Sequence, residues 1–391
     1  MRKIKENVFS VGAIDWDRRL FDELIPLPDG TTYNAYIVQG REKTVLIDTV
    51  DPSKQEVLIE NLKELKIKKI DYIVANHAEQ DHSGAIPEVL KSYPASKVVA
   101  SVRCRAILAD LLLIPDDRFV AVEDSGTISL GGKTLEFILA PWVHWPETML
   151  TYLREDKILF PCDLFGSHLA GSNLYATDKA KVYGSAKRYY AEIMMPFRTS
   201  IKNHIEKLKN YEIEIIAPSH GPVYDEPDFI VSAYKDWVSD RVKNEVVIPY
   251  VSAHGSVKKM VDCFVEALLK REITVKPFNL SVTDIGELAV ALVDAATLVI
   301  GTPTILTGAH PAAVYAAILA NVLRPKTKFA SIIGSYSWGG RMPEQIKSLI
   351  PNLKVEFLEP VISKGHPTGN DFKAIKDLAS KIAEKQKTLG P

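Results

Sequence analysis

Apolar positions in the first half of the chain recur at every second residue or in short unbroken runs, a period that predicts β-strands. Such runs cover residues 8–11, 32–38 and 44–48, with Pro28-Asp29-Gly30 and Gln39-Gly40 marking the turns between them. Over 54–65 the period lengthens to that of an amphipathic helix, and 71–75 then reads as a short, β-branched, buried strand. Residues 85–93 read as a helix, 97–101 as a strand, and 103–113 as a helix stopped by Pro115. Two hairpins follow, 127–130 with 134–139 across Gly131-Gly132, and 149–153 with 158–161. Helices over 185–195 and 201–209 and a strand over 214–217 close this half. Strands in two batches with helices between them predict an αββα sandwich, two sheets packed together with helices outside.

Near residue 244 the pattern changes to strict alternation. Strands are expected over 246–251, 273–278, 298–300, 329–333 and 355–358, and helices over 257–270, 285–293, 311–323, 343–350 and 371–386. Pro311 and Pro343 each open a helix, where the missing N–H does no harm. Five βα units make a doubly wound parallel sheet of about 145 residues, a one-domain size. The chain is therefore read as two α/β domains, 1–244 and 245–391.

Composition narrows the class of partner. The chain's 391 residues are 46% hydrophobic and 25% charged, as in an ordinary globular protein. Its formal charge of -1 supplies no field for nucleic acid or anionic lipid. No apolar run approaches the ~20 residues of a membrane span, and Met1-Arg2-Lys3-Ile4-Lys5-Glu6 lacks the apolar stretch of a signal peptide. Cys104, Cys162 and Cys263 are widely spaced and form no CxxC, so no disulfide framework is encoded. A cytoplasmic location is expected, with no nucleic acid and no membrane as partner.

The chemistry concentrates after the strand at 71–75, in Asn76-His77-Ala78-Glu79-Gln80-Asp81-His82-Ser83-Gly84. Four metal-ligand side chains fall within six residues, on a loop leaving a rigid strand. In extended backbone His77 and Glu79 project to the same side; Asp81 and His82, past a turn closed by Ser83-Gly84, are placed to serve a second metal. Further candidates follow other apolar strands: His144 in Ala140-Pro141-Trp142-Val143-His144-Trp145, Asp163 after Cys162, and His220 after Pro218-Ser219. Any one of these histidines alone reads more simply as a hydrogen-bonded structural residue. Their recurrence at strand ends points to one metal site.

Residues 1 to about 244 resemble the metallo-β-lactamase fold, whose signature is HxHxDH followed by a distant His, Asp and His. Here His77-x-Glu79-x-Asp81-His82 carries Glu where the zinc hydrolases carry their second His. That departure, followed by a flavodoxin-like domain, resembles the flavodiiron proteins (A-type flavoproteins). Hard carboxylate oxygens mixed with imidazoles suit iron that changes oxidation state. The resemblance implies that His77, Glu79 and His144 hold one iron, Asp81, His82 and His220 the other, and that Asp163 bridges them. In some relatives the residue matching His82 does not ligate. Trp145 and Glu147 are expected to orient ligands, with plain packing an equal reading for Trp145. His168 and Tyr190 are candidate pocket residues by the same resemblance.

In a doubly wound sheet, ligands bind outside the C-terminal strand ends at the switch point. Three loops lie there. Ser252-Ala253-His254-Gly255-Ser256-Val257 offers hydroxyls and backbone N–H groups at a helix N-terminus, an anion nest. Gly301-Thr302-Pro303-Thr304 is the second, and Gly334-Ser335-Tyr336-Ser337-Trp338-Gly339-Gly340 adds glycines and an aromatic to flank a planar ring. No GxGxxG is present, against a dinucleotide fold. The loops resemble those of flavodoxins, with Val257 at a place where flavodoxins often carry Thr. His254 contacts phosphate or merely caps its loop.

The resemblance implies two Fe and FMN as cofactors, O2 reduced to water or NO to N2O, and a head-to-tail homodimer or dimer of dimers. No module is expected after Pro391, so electrons are expected from a separate donor, a rubredoxin-like protein or a reduced deazaflavin. The rival expectation is a dizinc hydrolase of the same fold, which leaves the second domain idle.

Overall fold

The computed structural model describes residues 1–389, which divide into two compact units. The first comprises Met1–Tyr190 and Phe197–Val238; the second comprises Ala191–Pro196 and the chain from Ser239 onward.

The first unit is built on two sheets. One runs in the order Arg2–Lys5, Val8–Ser10, Tyr36–Gln39, Thr44–Ile47, Tyr72–Val74, Lys97–Ser101, Phe119–Val122; the other runs Thr127–Ser129, Thr134–Leu139, Met149–Leu153, Ile158–Phe160, Ile215–Ile216. Strand periodicity decides which side chains fill which layer. Val38, Val45, Val74 and Val99 turn toward Phe137, Met149 and Phe160 of the second sheet. Their neighbours Ile37, Leu46, Ile73 and Val98 turn the other way, onto Leu58, Leu62, Val89 and Leu108 of the covering helices. That is the expected αββα sandwich. Gly131 and Gly132 both have positive φ, +79° and +84°, the conformation a two-residue hairpin demands.

The expected strand over 32–38 is broken at Asn34. Its backbone N–H donates to Ser219 O and its side-chain amide to the carbonyls of Pro218 and Gly221. Thr31–Tyr33 therefore pairs with Ala13–Asp15, and Tyr36–Gln39 with Val8–Ser10. This break ties the start of the chain to the loop carrying His220. Strand Phe119–Val122 and helix Pro227–Trp237 were not expected; the strand is half-exposed along its length and shows no clean alternation. The helix expected over 185–195 begins instead at Lys179, where the Asp178 side chain accepts from Lys181 N, and runs to Tyr189. A π turn (Tyr190–Met194) and a 3₁₀ turn (Met195–Phe197) then lead into helix Arg198–Leu208.

The second unit is a parallel sheet in the order Thr274–Asn279, Lys243–Tyr250, Ala295–Ile305, Phe329–Tyr336, Glu356–Phe357, with Val361–Lys364 continuing alongside Phe329–Tyr336. Numbered by sequence this is 2-1-3-4-5, the flavodoxin-like winding. Helix Pro311–Leu323 keeps its expected bounds; the final strand, read as one run over 355–358, is two short pieces. Among the described residues no helix is long and apolar enough to cross a membrane.

Candidate metal centre

The strand Tyr72–Val74 ends at a loop that is pinned before it reaches the first candidate ligand. Asp48 accepts from both the backbone and the side-chain N–H of Asn76, at 2.8 and 2.9 Å, while Asn76 O accepts from Met149 N and its Oδ1 from Thr151. His77 leaves this anchor fully buried. After Glu79 the chain does not stay extended: Gln80–Ser83 is one helical turn, with Glu79 O accepting from His82 N and Ser83 N. That turn swings Asp81 and His82 away from His77 and Glu79.

All seven expected ligand residues converge. His77, Glu79, His144 and Asp163 form one group and Asp81, His82 and His220 another, the ligand atoms of each lying within 4.8 Å of one another. Asp163 faces both. Its Oδ2 lies 3.6 Å from His77 Nε2 and 3.5 Å from His144 Nε2. Its Oδ1 lies 3.0 Å from His82 Nε2 and 3.5 Å from His220 Nε2. Glu79 Oε2 sits 3.2 Å from His77 Nε2 and 3.1 Å from His144 Nε2. Across the site, Asp81 Oδ2 is 3.1 Å from His220 Nε2.

The imidazoles are held from behind. His77 donates through Nδ1 to Glu147 Oε1 at 2.6 Å, and His220 through Nδ1 to the Thr32 carbonyl at 2.6 Å, so both present Nε2 inward. Glu147 also accepts from Ala78 N. The expected orienting role for Glu147 thus has a geometry, whereas Trp145 packs edge-on against His77 at 5.0 Å.

Two pocket candidates fare differently. His168 is buried, with Nδ1 2.9 Å from Thr31 Oγ1 and its ring 4.8 Å from that of His220. Tyr190 does not face this cluster: its hydroxyl donates to Trp237 O. The adjacent Tyr189 does, donating to Asp163 Oδ1 at 2.8 Å. Sequence reasoning also missed Phe21, whose ring lies 5.2 Å from His168 and 6.5 Å from His220.

Electrostatics follow from so many buried ionisable groups. Burial works against a charge on His77, yet the hydrogen bonds to Glu147 and Glu79 prevail and raise its pKa to about 10. His144 is likewise opposed by burial and raised to about 10 by Asp163 and Glu79, and His82 to about 9 by Asp163 and Asp81. Burial would push Glu79 and Asp163 up, but the surrounding imidazoles hold both well below the usual carboxylate range. His168 goes the other way: burial and the charge of His220 keep it neutral. Both oxygens of Asp81, Oδ2 of Asp163 and Nδ1 of His82 are buried without a hydrogen-bond partner. Buried acceptors in that condition are costly unless something binds them. Four imidazoles and three carboxylates arranged about a shared Asp163 fit a pair of iron ions.

Comparison with known proteins agrees. The family model for ODP family beta lactamase matches residues 31–221. A nitric oxide reductase of Moorella thermoacetica is 34% identical over 97% of this chain and 97% of its own length. The solved structure of rubredoxin oxygen:oxidoreductase from Desulfovibrio gigas superposes with a TM-score of 0.95 at 30% identity, covering 99% of this chain and 98% of its own. A flavo di-iron protein of Thermotoga maritima gives a TM-score of 0.89 at 25% identity, covering 99% and 98%. The chain belongs to the flavodiiron proteins. As a flavodiiron protein it is an oxidoreductase whose cofactors are a non-haem iron pair and FMN, and the hydrolase expectation falls.

A flavodiiron protein needs a flavin site, and the second unit has a fitting cavity of about 190 Å³. It is lined by Ser252, Ala253, His254, Ser256, Val257, Pro303, Thr304, Ser335, Tyr336 and Ser337 from the three expected loops, and by Ile305 and Gly365, which were not expected. Gly255 takes φ +87° and caps helix Ser256–Leu269, whose first residues, Ser256 and Val257, line the cavity, while Lys258 N donates to Ser252 Oγ. Thr304 Oγ1 is buried there without a partner. Thr302 is fully buried, accepting from His310 N and donating to Pro303 O, and does not line the cavity. Trp338, 68% exposed, and Gly339, at φ +92°, stand outside its lining.

Proposed function

We propose that this chain reduces O2 to water, NO to N2O, or both, with residues 1–244 forming the diiron domain and residues 245–391 the FMN domain. When bound, FMN and the iron pair supply stepwise electron transfer from a donor to the diatomic substrate. Asp163, with one oxygen toward each group of imidazoles, is the single observation that carries the reading. In this reading His77, Glu79 and His144 would hold one iron, Asp81, His82 and His220 the other, and Asp163 would be shared between them. Glu147 and the Thr32 carbonyl fix the imidazole tautomers of His77 and His220, so the ligand atoms are set before metal arrives. Phe21 and His168 wall the His220 side and exclude water there, and neutral His168 offers Nε2, buried and unpartnered, to hydrogen-bond bound substrate.

In the second domain Ser252, Ser256 and the N-terminus of helix Ser256–Leu269 receive the FMN phosphate, with Gly255 and Val257 in the same loop and His254 at its rim. Pro303, Thr304, Ser335, Tyr336 and Ser337 would hold the flavin ring, with Trp338 and Gly339 following in the same loop. Electrons come from a separate donor, a rubredoxin-like protein or a reduced deazaflavin. The assembly is a head-to-tail homodimer in which one chain's FMN serves the other's irons; full activity in a monomer would refute it. All three cysteines are free thiols, which supports a reducing, cytoplasmic setting.

The deciding experiment is metal and flavin analysis of protein purified without added metal, followed by NO and O2 consumption with reduced rubredoxin. Iron near two and FMN near one per chain, with turnover, support the reading. Zinc without flavin overturns it.

A further inference from the structure

Behind Asp163 the first unit holds a run of oxidisable aromatic side chains, of which only the first touches a proposed ligand. It starts at Tyr189, whose hydroxyl donates to Asp163 Oδ1 at 2.8 Å. One peptide bond further lies Tyr190, its ring 5.4 Å from Trp237 and 5.5 Å from Tyr234, which is itself 5.1 Å from Trp237. Trp237 donates through Nε1 to the hydroxyl of Tyr183 at 3.2 Å, ring centroids 5.3 Å apart. Tyr189, Tyr190 and Trp237 are each at most 1% exposed, whereas Tyr183 is 37% exposed. The run therefore begins on the proposed bridging carboxylate and ends in solvent. Core packing alone needs large apolar rings; it does not need Tyr and Trp, the readily oxidised aromatics, at every step.

We infer that Tyr189, Tyr190, Trp237 and Tyr183 form a relay that carries oxidising equivalents from the iron site to the surface. The inference rests on the O2-reducing reading. Complete reduction of O2 to two waters takes four electrons and four protons. Two electrons reside on the flavin and one on each iron when the protein is fully charged. If O2 arrives one electron short, Tyr189 supplies that electron together with its phenolic proton, one of the four that the two waters take up. Tyr189 recovers an electron from Trp237 across Tyr190, and a proton from solvent water. Trp237 is refilled by Tyr183, which releases its proton to water. A soluble thiol then returns one electron and one proton to Tyr183, and two thiyl radicals pair as a disulfide. The net effect is that one electron from a solvent thiol completes the reduction and no oxidised side chain stays beside the metal ligands.

The test uses full-length protein loaded with iron and FMN. It is charged with either four or three electrons, mixed with O2, freeze-quenched and examined by electron paramagnetic resonance; peptide mapping after repeated cycles locates oxidised residues. The expected result is an organic radical in the three-electron sample only, narrowed when ring-deuterated tyrosine is incorporated, with oxidation mapping to Tyr183. Tyr183→Phe should lengthen the radical's life several-fold and move oxidation to Trp237. Trp237→Phe should confine the radical to Tyr189 and Tyr190 and raise inactivation per cycle several-fold. If that buried substitution prevents folding, the exposed Tyr183→Phe decides alone. If the fully charged protein consumes O2 but the three-electron sample shows no radical, or Tyr183→Phe behaves as the parent, the relay is refuted and the O2 reading survives. If the fully charged protein consumes no O2, the reading fails and the relay with it.

Discussion

Tyr189 and Tyr190 are neighbours in sequence with the same chemistry, and they separate two environments. Only Tyr189 reaches Asp163; Tyr190 is bonded to the Trp237 carbonyl. Tyr189→Phe is therefore expected to lower NO and O2 turnover by roughly tenfold with iron content retained, since about 1.4 kcal/mol at the transition state is tenfold in rate. Tyr190→Phe should leave turnover near the parent value and cost about 1 kcal/mol of stability, the net worth of one buried hydrogen bond; steady-state kinetics and thermal melts check both. Glu147→Gln removes the anionic partner that orients His77. The expected loss is roughly 10–100-fold in iron affinity, read by chelator competition; unchanged affinity would remove Glu147 from the ligand-orienting role.

At the scale of elements, the helical turn Gln80–Ser83 and the loops holding His144, Asp163 and His220 bring buried charges together that stabilise one another without metal. His77 and His144 have folded-state values of about 10 and His82 of about 9, above the ordinary value near 6.5. A raised histidine value contributes stability in full below about 6.5, and that contribution is lost as pH rises through the folded value. The depressed Glu79 and Asp163 contribute above the ordinary carboxylate value and lose it as pH falls through their lowered ones. Metal-free protein is thus expected to melt lower at pH 10 than at pH 6.5. Iron-loaded protein, its imidazoles already deprotonated, should lose most of that alkaline decline; parallel melts with and without metal give the answer. In the second unit, Gly255 at φ +87° opens the cavity-side helix where no Cβ is easily carried. Nothing lies within 4 Å of a Cβ built there, so Gly255→Ala should cost about 1 kcal/mol through backbone strain alone and weaken FMN retention. Undiminished flavin content would show that the loop tolerates another conformation.

For the whole molecule, the sandwich and a doubly wound parallel sheet could be read from periodicity because each strand's alternation is local, while the sheet's flavodoxin-like character was implied by the resemblance. Val98 and Val99 face opposite cores and are read as neighbours on opposite faces from sequence alone. What escaped was what local pattern does not record: the half-exposed edge strand Phe119–Val122, and the break at Asn34, whose bonds run to residues more than 180 positions away. If the two units serve one electron path, chelating the iron should abolish O2 and NO consumption yet leave flavin reduction by donor intact. A visible-absorbance titration checks this, and loss of both together would tie donor entry to the metal domain.

The sequence alone determined the residue types of the candidate metal cluster and their place after strands, because ligand chemistry and strand periodicity are both written locally. It also determined that the second sheet is parallel and doubly wound, since regular βα alternation admits few arrangements, while the strand order came from the structure. Only the tertiary structure decided that Asp163 turns one oxygen to each group, that Tyr189 rather than Tyr190 reaches it, and that Phe21 closes on His168. It also decided that Thr302 turns inward while Gly365 joins the cavity proposed for the flavin. The direction of a side chain at the end of a helix or strand is set by what the element packs against, and those partners lie far away in sequence.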